Sequence, residues 1–123
     1  MKIIRLLPLL LLFTLLAACK PSMNTIIATK PCVKGVVQEV HEQTILIEVN
    51  EGEEARKSSD LISVSLNVQN ADSITHFYAG DEVAVYYDGQ IAESDPAQIH
   101  TVYAITLIEG SDERQTAENQ ADS

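Results

Sequence analysis

Apolar residues recurring at every second position, glycine-bearing turns between such runs, and a single short stretch with helical potential predict an all-β domain with one small helix. Five strands with that helix between the third and fourth is the order of an OB-like barrel, a small partly open barrel of Greek-key type. A plain meander or a small sandwich is compatible with nearly the same strands, so the helix position and loop lengths carry the choice.

Val33 to His41 and Thr44 to Asn50 are rich in branched residues, and Ile45, Ile47 and Val49 share one face. They read as a hairpin connected at Glu42-Gln43. The polar, acidic run from Asn50 through Gly52, Glu53 and Glu54 to Asp60 is a longer loop. The third strand is the clearest, with Ile62, Val64, Leu66 and Val68 alternating with Ser63, Ser65, Asn67 and Gln69. Asp72 or Ser73 then caps the expected helical turn, which carries Ile74 and Phe77 and ends at Ala79-Gly80-Asp81. Val83, Val85 and Tyr87 alternate in a fourth strand, and Asp88-Gly89 is a hairpin signal leading into Gln90-Ile91-Ala92. After the turn at Glu93-Ser94-Asp95-Pro96, a last strand runs from about Ile99 to Ile108, apolar on parts of both faces.

The ends differ in composition from this centre. Lys2 and Arg5 precede an apolar run from Leu6 to Ala18 that closes on Leu16-Ala17-Ala18-Cys19. A helix crossing a bilayer needs roughly 20 apolar residues, and this run is shorter and interrupted by Pro8 and Thr14. A charged start, a compact apolar middle and small residues before a cut fit an export signal. The cysteine after Ala18 separates an ordinary secretory signal from the pattern this one resembles, a bacterial lipoprotein signal. That resemblance implies cleavage after Ala18, a diacylglyceryl thioether on Cys19, and attachment to the extracytoplasmic side of a cell membrane or outer membrane. Lys20 is not the aspartate that resembles an inner-membrane retention signal, so a host with two membranes would sort the protein outward.

The chain therefore divides into a signal at 1–18, a lipidated N-terminus and tether at 19–32, the barrel at 33–109, and an acidic tail at 110–123. Pro21, Ser22, Asn24, Thr25, Thr29 and Pro31 suit a tether, with Ile26-Ile27 available to dock on the domain. The tail holds no large apolar residue and is expected to be disordered, because it has no burial to set against ordering entropy.

Cleavage would leave 105 residues, one domain's worth, with six basic residues against eighteen acidic ones. That charge repels phosphate backbones, so nucleic acid is excluded as a partner class. Cationic ligands, metal ions and basic proteins are electrostatically allowed, although acidic surfaces more often serve solubility. With Cys19 consumed by lipid, Cys32 has no partner for an internal disulfide and reads as a small buried hydrophobe.

Candidate chemistry is sparse. His41, His76 and His100 stand near strand or helix ends, and Glu93 and Asp95 occupy a loop able to approach one of them. No His-x-x-x-His, Cys-x-x-Cys or calcium-loop spacing supports a metal centre, and no Gly-x-Ser-x-Gly supports a hydrolase. Glu51, Glu53 and Glu54 lie on a flexible loop that cannot hold two carboxylates at a glycosidase separation. No cofactor, metal ligand or catalytic residue is assigned.

Val33-Lys34-Gly35-Val36-Val37, Gly80-Asp81-Glu82-Val83-Ala84-Val85, and Asp88-Gly89-Gln90-Ile91-Ala92-Glu93-Ser94 with Pro96 and Gln98-Ile99 carry a further resemblance. Over about residues 33 to 109 the chain is similar to a family of small bacterial lipoproteins and secreted proteins, a domain of unknown function with an OB-like barrel. The resemblance implies a fold and supplies no substrate, cofactor or catalytic residue. The expectation is a lipid-anchored, non-enzymatic binding module of the cell envelope, whose partner is an envelope protein or small ligand met through loops or the outer sheet face. A small enzyme with an unrecognised site and a divalent-metal sensor are the rivals.

Overall fold

The computed structural model describes residues 22–70 and 72–121. In chain order these form α1 (Met23–Thr29), β1 (Cys32–Val40), β2 (Thr44–Val49), a single 3-10 turn (Glu54–Lys57), β3 (Leu61–Ser65), β4 (Glu82–Tyr87), β5 (Ala97–Ile99), β6 (Val102–Glu109) and α2 (Asp112–Ala121). The strands make one mixed sheet of six in the order β5-β3-β2-β1-β4-β6. Neighbours run antiparallel except β3 and β5, which are parallel. No helix among the described residues is long and apolar enough to cross a membrane.

Alternation decides which side of the sheet is apolar. Val33 and Val37 of β1, Ile45, Ile47 and Val49 of β2, Ile62 and Val64 of β3, and Val83, Val85 and Tyr87 of β4 join Ala97, Ile99, Val102, Ile105 and Phe77 in one buried cluster. Each fully buried branched side chain in that set contributes about 1.5–3 kcal/mol relative to exposure. Bulges re-aim the strands where the alternation slips: Gln38 is the extra residue of β1, and Tyr103 and Ile108 are those of β6.

The expected mostly-β architecture is present, with three corrections. Six strands replace five, because the final run breaks at His100-Thr101 into β5 and β6, which pair with β3 and β4 respectively. Gln90-Ile91-Ala92 forms no strand and contributes one bridge, Ala92 to Gln98. The expected helix between the third and fourth strands is absent from the described residues of that segment. Ser73, expected as its cap, is buried instead; its hydroxyl donates to the Ile105 carbonyl at 3.0 Å and accepts from the Ile105 amide at 2.7 Å. The chain around it lies along β6, with the amides of Gln69, Asn70 and Ile74 donating to the carbonyls of Val102, Tyr103 and Ile105. Pairing with an open strand satisfies these backbone groups as a helix would, and also covers an edge.

The two helices lie where a tether and a disordered tail were expected. Ser22 caps α1 by accepting from the Thr25 amide, and the burial of Ile26 against β6 anchors it. Only half of the docking expected of Ile26-Ile27 is realised, since Ile27 remains 49% exposed. Helix α2 forms without apolar burial, for reasons that belong to the site below. Ala18 and Cys19, the expected cleavage and lipidation positions, lie outside the described residues.

Candidate functional site

The most concentrated polar chemistry in the fold gathers around Asp81, whose surface is wholly buried. The turn from Tyr78 to Asp81 places it there. Gly80 adopts φ +94°, a conformation that costs glycine little, and its amide donates to the Val37 carbonyl while the Val37 amide donates to the Asp81 carbonyl. The carboxylate then accepts from the amides of Tyr78 at 2.9 Å and Ser111 at 2.8 Å. Arg114 completes the set, its Nε at 3.0 Å and its second guanidinium nitrogen at 2.9 Å from Oδ2. The guanidinium also lies 5.1 Å from the Tyr78 ring centroid and donates to the His76 carbonyl. Burial alone would push the Asp81 carboxyl up; the Arg114 hydrogen bond, the Ser111 and Tyr78 amides and the Arg114 charge outweigh it and hold it below the usual carboxylate range.

This hub explains α2. Ser111 caps the helix, its hydroxyl accepting from the Arg114 amide at 3.1 Å, and Asp112 and Glu113 sit in the first turn, where the helix dipole favours negative charge. The Ser111-Asp112-Glu113 signature was the sequence signal for a helix. Arg114 in the first turn joins that helix to a carboxylate 33 residues earlier.

A cleft of about 450 Å³ opens beside the hub between the starts of β4 and α2 and the end of β6. Glu82, Glu109, Asp112 and Glu113 line it with Val36, Ala79 and Gly80. Its character is anionic. Among the described residues, no three His, Cys, Asp or Glu side chains gather closely enough to hold a metal ion.

The residues singled out from sequence are dispersed. His41 is exposed, and its ring meets the Glu39 carboxylate at 3.3 Å. The side chain of His76 is exposed and its carbonyl serves Arg114. His100 lines a separate cleft with Asn67, Gln69 and Thr101, in which no carboxylate takes part. Glu93 and Asp95 are exposed in the loop before β5. Cys32 is half-buried on the outer face of β1, opposite Tyr86 of β4, and within hydrogen-bonding contact of it. Burial raises the thiol above its ordinary range, with Glu53 adding to the effect against Tyr86 and Lys34. It is therefore protonated near neutrality and a weak nucleophile. Tyr86 in turn meets Thr106, so a polar row crosses β1, β4 and β6.

No family model and no curated protein matches this chain. Among solved structures, the crystal structure of a yobA protein from Bacillus subtilis subsp. subtilis str. 168 is similar at a TM-score of 0.47 and 16% identity, covering 65% of this chain and 96% of that one.

Proposed function

We propose that this chain is a lipid-anchored extracytoplasmic protein whose sheet is an OB-like barrel and whose activity is binding rather than catalysis. It is placed by the same reading in the lipoprotein family that residues 33 to 109 resemble. The anchor rests on Leu16-Ala17-Ala18-Cys19 behind Lys2, Arg5 and a short apolar run. The barrel is supported by β5 and β6, which are two residues apart in the chain yet pair with strands on opposite sides of the β2-β1 pair, as a last strand bridging two edges would.

One observation carries the binding reading: the buried polar side chains serve to join segments of the chain. Both Asp81 oxygens are engaged by Tyr78, Ser111 and Arg114, and the Ser73 hydroxyl is spent on Ile105. A catalytic group needs an oxygen or nitrogen aimed at a reacting atom, whereas these groups are spent on backbone amides, a carbonyl and the Arg114 guanidinium. What the domain offers outward is its surface, held near a membrane by lipid.

The anchor is tested by Cys19→Ala. Membrane fractions of cells making the wild-type chain are expected to contain nearly all of it, with a mass shift on Cys19 matching a diacylglyceryl group; the variant should leave the mature membrane pool and accumulate as uncut precursor. Wild-type fractionation and cleavage of Cys19→Ala would refute the anchor.

The rival reading, divalent-cation binding, has only the anionic lining of the cleft behind it, where, among the described residues, no three carboxylates gather closely enough to hold an ion. Calcium or zinc binding to the folded state would raise the melting temperature with concentration. Where binding is the function through other surfaces, millimolar calcium or zinc should shift the melting temperature no more than sodium chloride of equal ionic strength. A saturable rise lost in Glu109→Gln/Glu113→Gln would instead establish the cation reading.

A further inference from the structure

We infer that the face of the domain formed by α1 rests against an anionic lipid surface, with the acidic cleft held away from it; the inference deepens the lipid-anchor reading and rests on it. Charge is distributed unevenly along the chain. Residues 20–38 carry Lys20, Lys30 and Lys34 and no acidic residue, while all eighteen acidic residues lie from Glu39 onward with only Arg56, Lys57 and Arg114 among them. The lysine-bearing segment is the one nearest Cys19.

Geometry makes that proximity spatial. Three residues, Lys20, Pro21 and Ser22, separate Cys19 from the first residue of α1, a reach of at most about 14 Å in fully extended chain. Helix α1 is fixed to β6 through buried Ile26, so a lipid on Cys19 has no long leash by which to leave the helix. Lys30, just past α1, lies over the Tyr103 ring at 4.7 Å, which holds its ammonium beside the helix. The exposed positions of α1 are Asn24, Thr25, Ile27, Ala28 and Thr29, uncharged in a chain of net charge −10. Ile27, 49% exposed, is the apolar contact such a face would offer to the headgroup boundary.

The acidic cleft lies toward the opposite end of the same strands. Cys32 pairs with Tyr86 near α1, whereas Val36 pairs with Glu82 at the cleft, about 13 Å further along at strand spacing. Anionic lipid attracts lysines and repels carboxylates over about a Debye length, so both ends favour the same orientation. Glu53, Glu54 and Asp88 flank the α1 end, with Glu53 accepting from the Lys34 amide and Asp88 from the Gln90 amide. They moderate the attraction; the short link from Cys19 supplies the rest.

The test places single cysteines, Ile27→Cys or Glu113→Cys, in the full chain carrying Cys32→Ser. The mature lipoprotein is reconstituted into phosphatidylcholine vesicles containing a minor share of phosphatidylglycerol and reacted with a bulky membrane-impermeant maleimide. A companion of each variant carries a flexible Gly/Ser spacer between Lys20 and Pro21 and is assayed at raised salt. Ile27→Cys is expected to react about fivefold more slowly without the spacer than with it, as a face buried at the headgroup boundary would, while Glu113→Cys reacts equally in both. Equal rates for Ile27→Cys with and without the spacer, on protein whose Cys19 carries lipid by mass, would overturn the orientation and leave the anchor standing. An unmodified Cys19 would overturn the anchor and the orientation with it.

Discussion

Asp81→Ala is expected to destabilise the domain by roughly 3–5 kcal/mol, the usual cost of removing one partner of a buried ion pair, which for a domain of this size lowers the melting temperature by on the order of 15 °C. The magnitude follows from what is stranded. Arg114 keeps only 12% of its side chain exposed, so its charge loses a partner where water reaches it poorly, and the amides of Tyr78 and Ser111 lose their acceptor. Arg114→Ala leaves the two amide bonds to Asp81 intact and should cost less while freeing α2. Hydrogen exchange separates the two: in Arg114→Ala the α2 amides should exchange near the unfolded rate while β1 and β4 stay protected. Full α2 protection in that variant, or an Asp81→Ala melting temperature within 3–4 °C of wild type, would show that the hub does not hold the tail.

The same carboxylate gives the pH dependence a direction. Its folded pKa lies below its unfolded value, so its contribution is complete above the ordinary aspartate pKa of about 3.9 and is lost as pH falls through the lower folded value. Acidification below about pH 4 should therefore release α2 before the apolar cluster of the sheet gives way, and Asp81→Asn should lack that step.

What was legible in the sequence is what local period and turn chemistry encode. Ile45, Ile47 and Val49 were read on one face and are all buried, as are Ile62 and Val64, and Gly80 and Gly89 occupy turns with positive φ. Non-local partners decided the failures. Nothing near Ser73 in sequence announces that its hydroxyl will satisfy both backbone groups of Ile105, so its intrinsic capping preference prevailed in the reading and β6 prevailed in the fold. Helix α2 has no apolar stripe, the usual signal, and depends on a cap and on one arginine meeting a buried aspartate. His41, His76 and His100 drew attention by residue type alone; the polar groups that organise the fold, Asp81 and Ser111, were read as a turn residue and as part of a featureless tail.

Gly35→Val is the other substitution with a large expected effect. Gly35 lies mid-strand, paired with Val49 on one side and Val83 on the other, at no positive φ, so neither a turn nor a left-handed backbone calls for glycine there. The constraint is proximity: a Cβ there would stand 2.7 Å from the Glu48 carbonyl oxygen and 3.1 Å from Ile47 Cδ1. An isoleucine side chain can give way, but the carbonyl belongs to the β1-β2 ladder, so relief requires β1 and β2 to part or β2 to tilt. Overpacking a well-filled interior costs about 1–3 kcal/mol, and at this position weakened ladder bonds add to it, so a loss of about 3 kcal/mol or more in urea melts is expected, with Gly35→Ala close behind because the first carbon already collides. A bend-only role predicts a wide gap between the two: Gly35→Ala would then be nearly neutral, since alanine adopts extended backbone at little cost. Measuring the two together decides between close approach and curvature, because only a backbone collision makes the smallest side chain almost as damaging as a branched one.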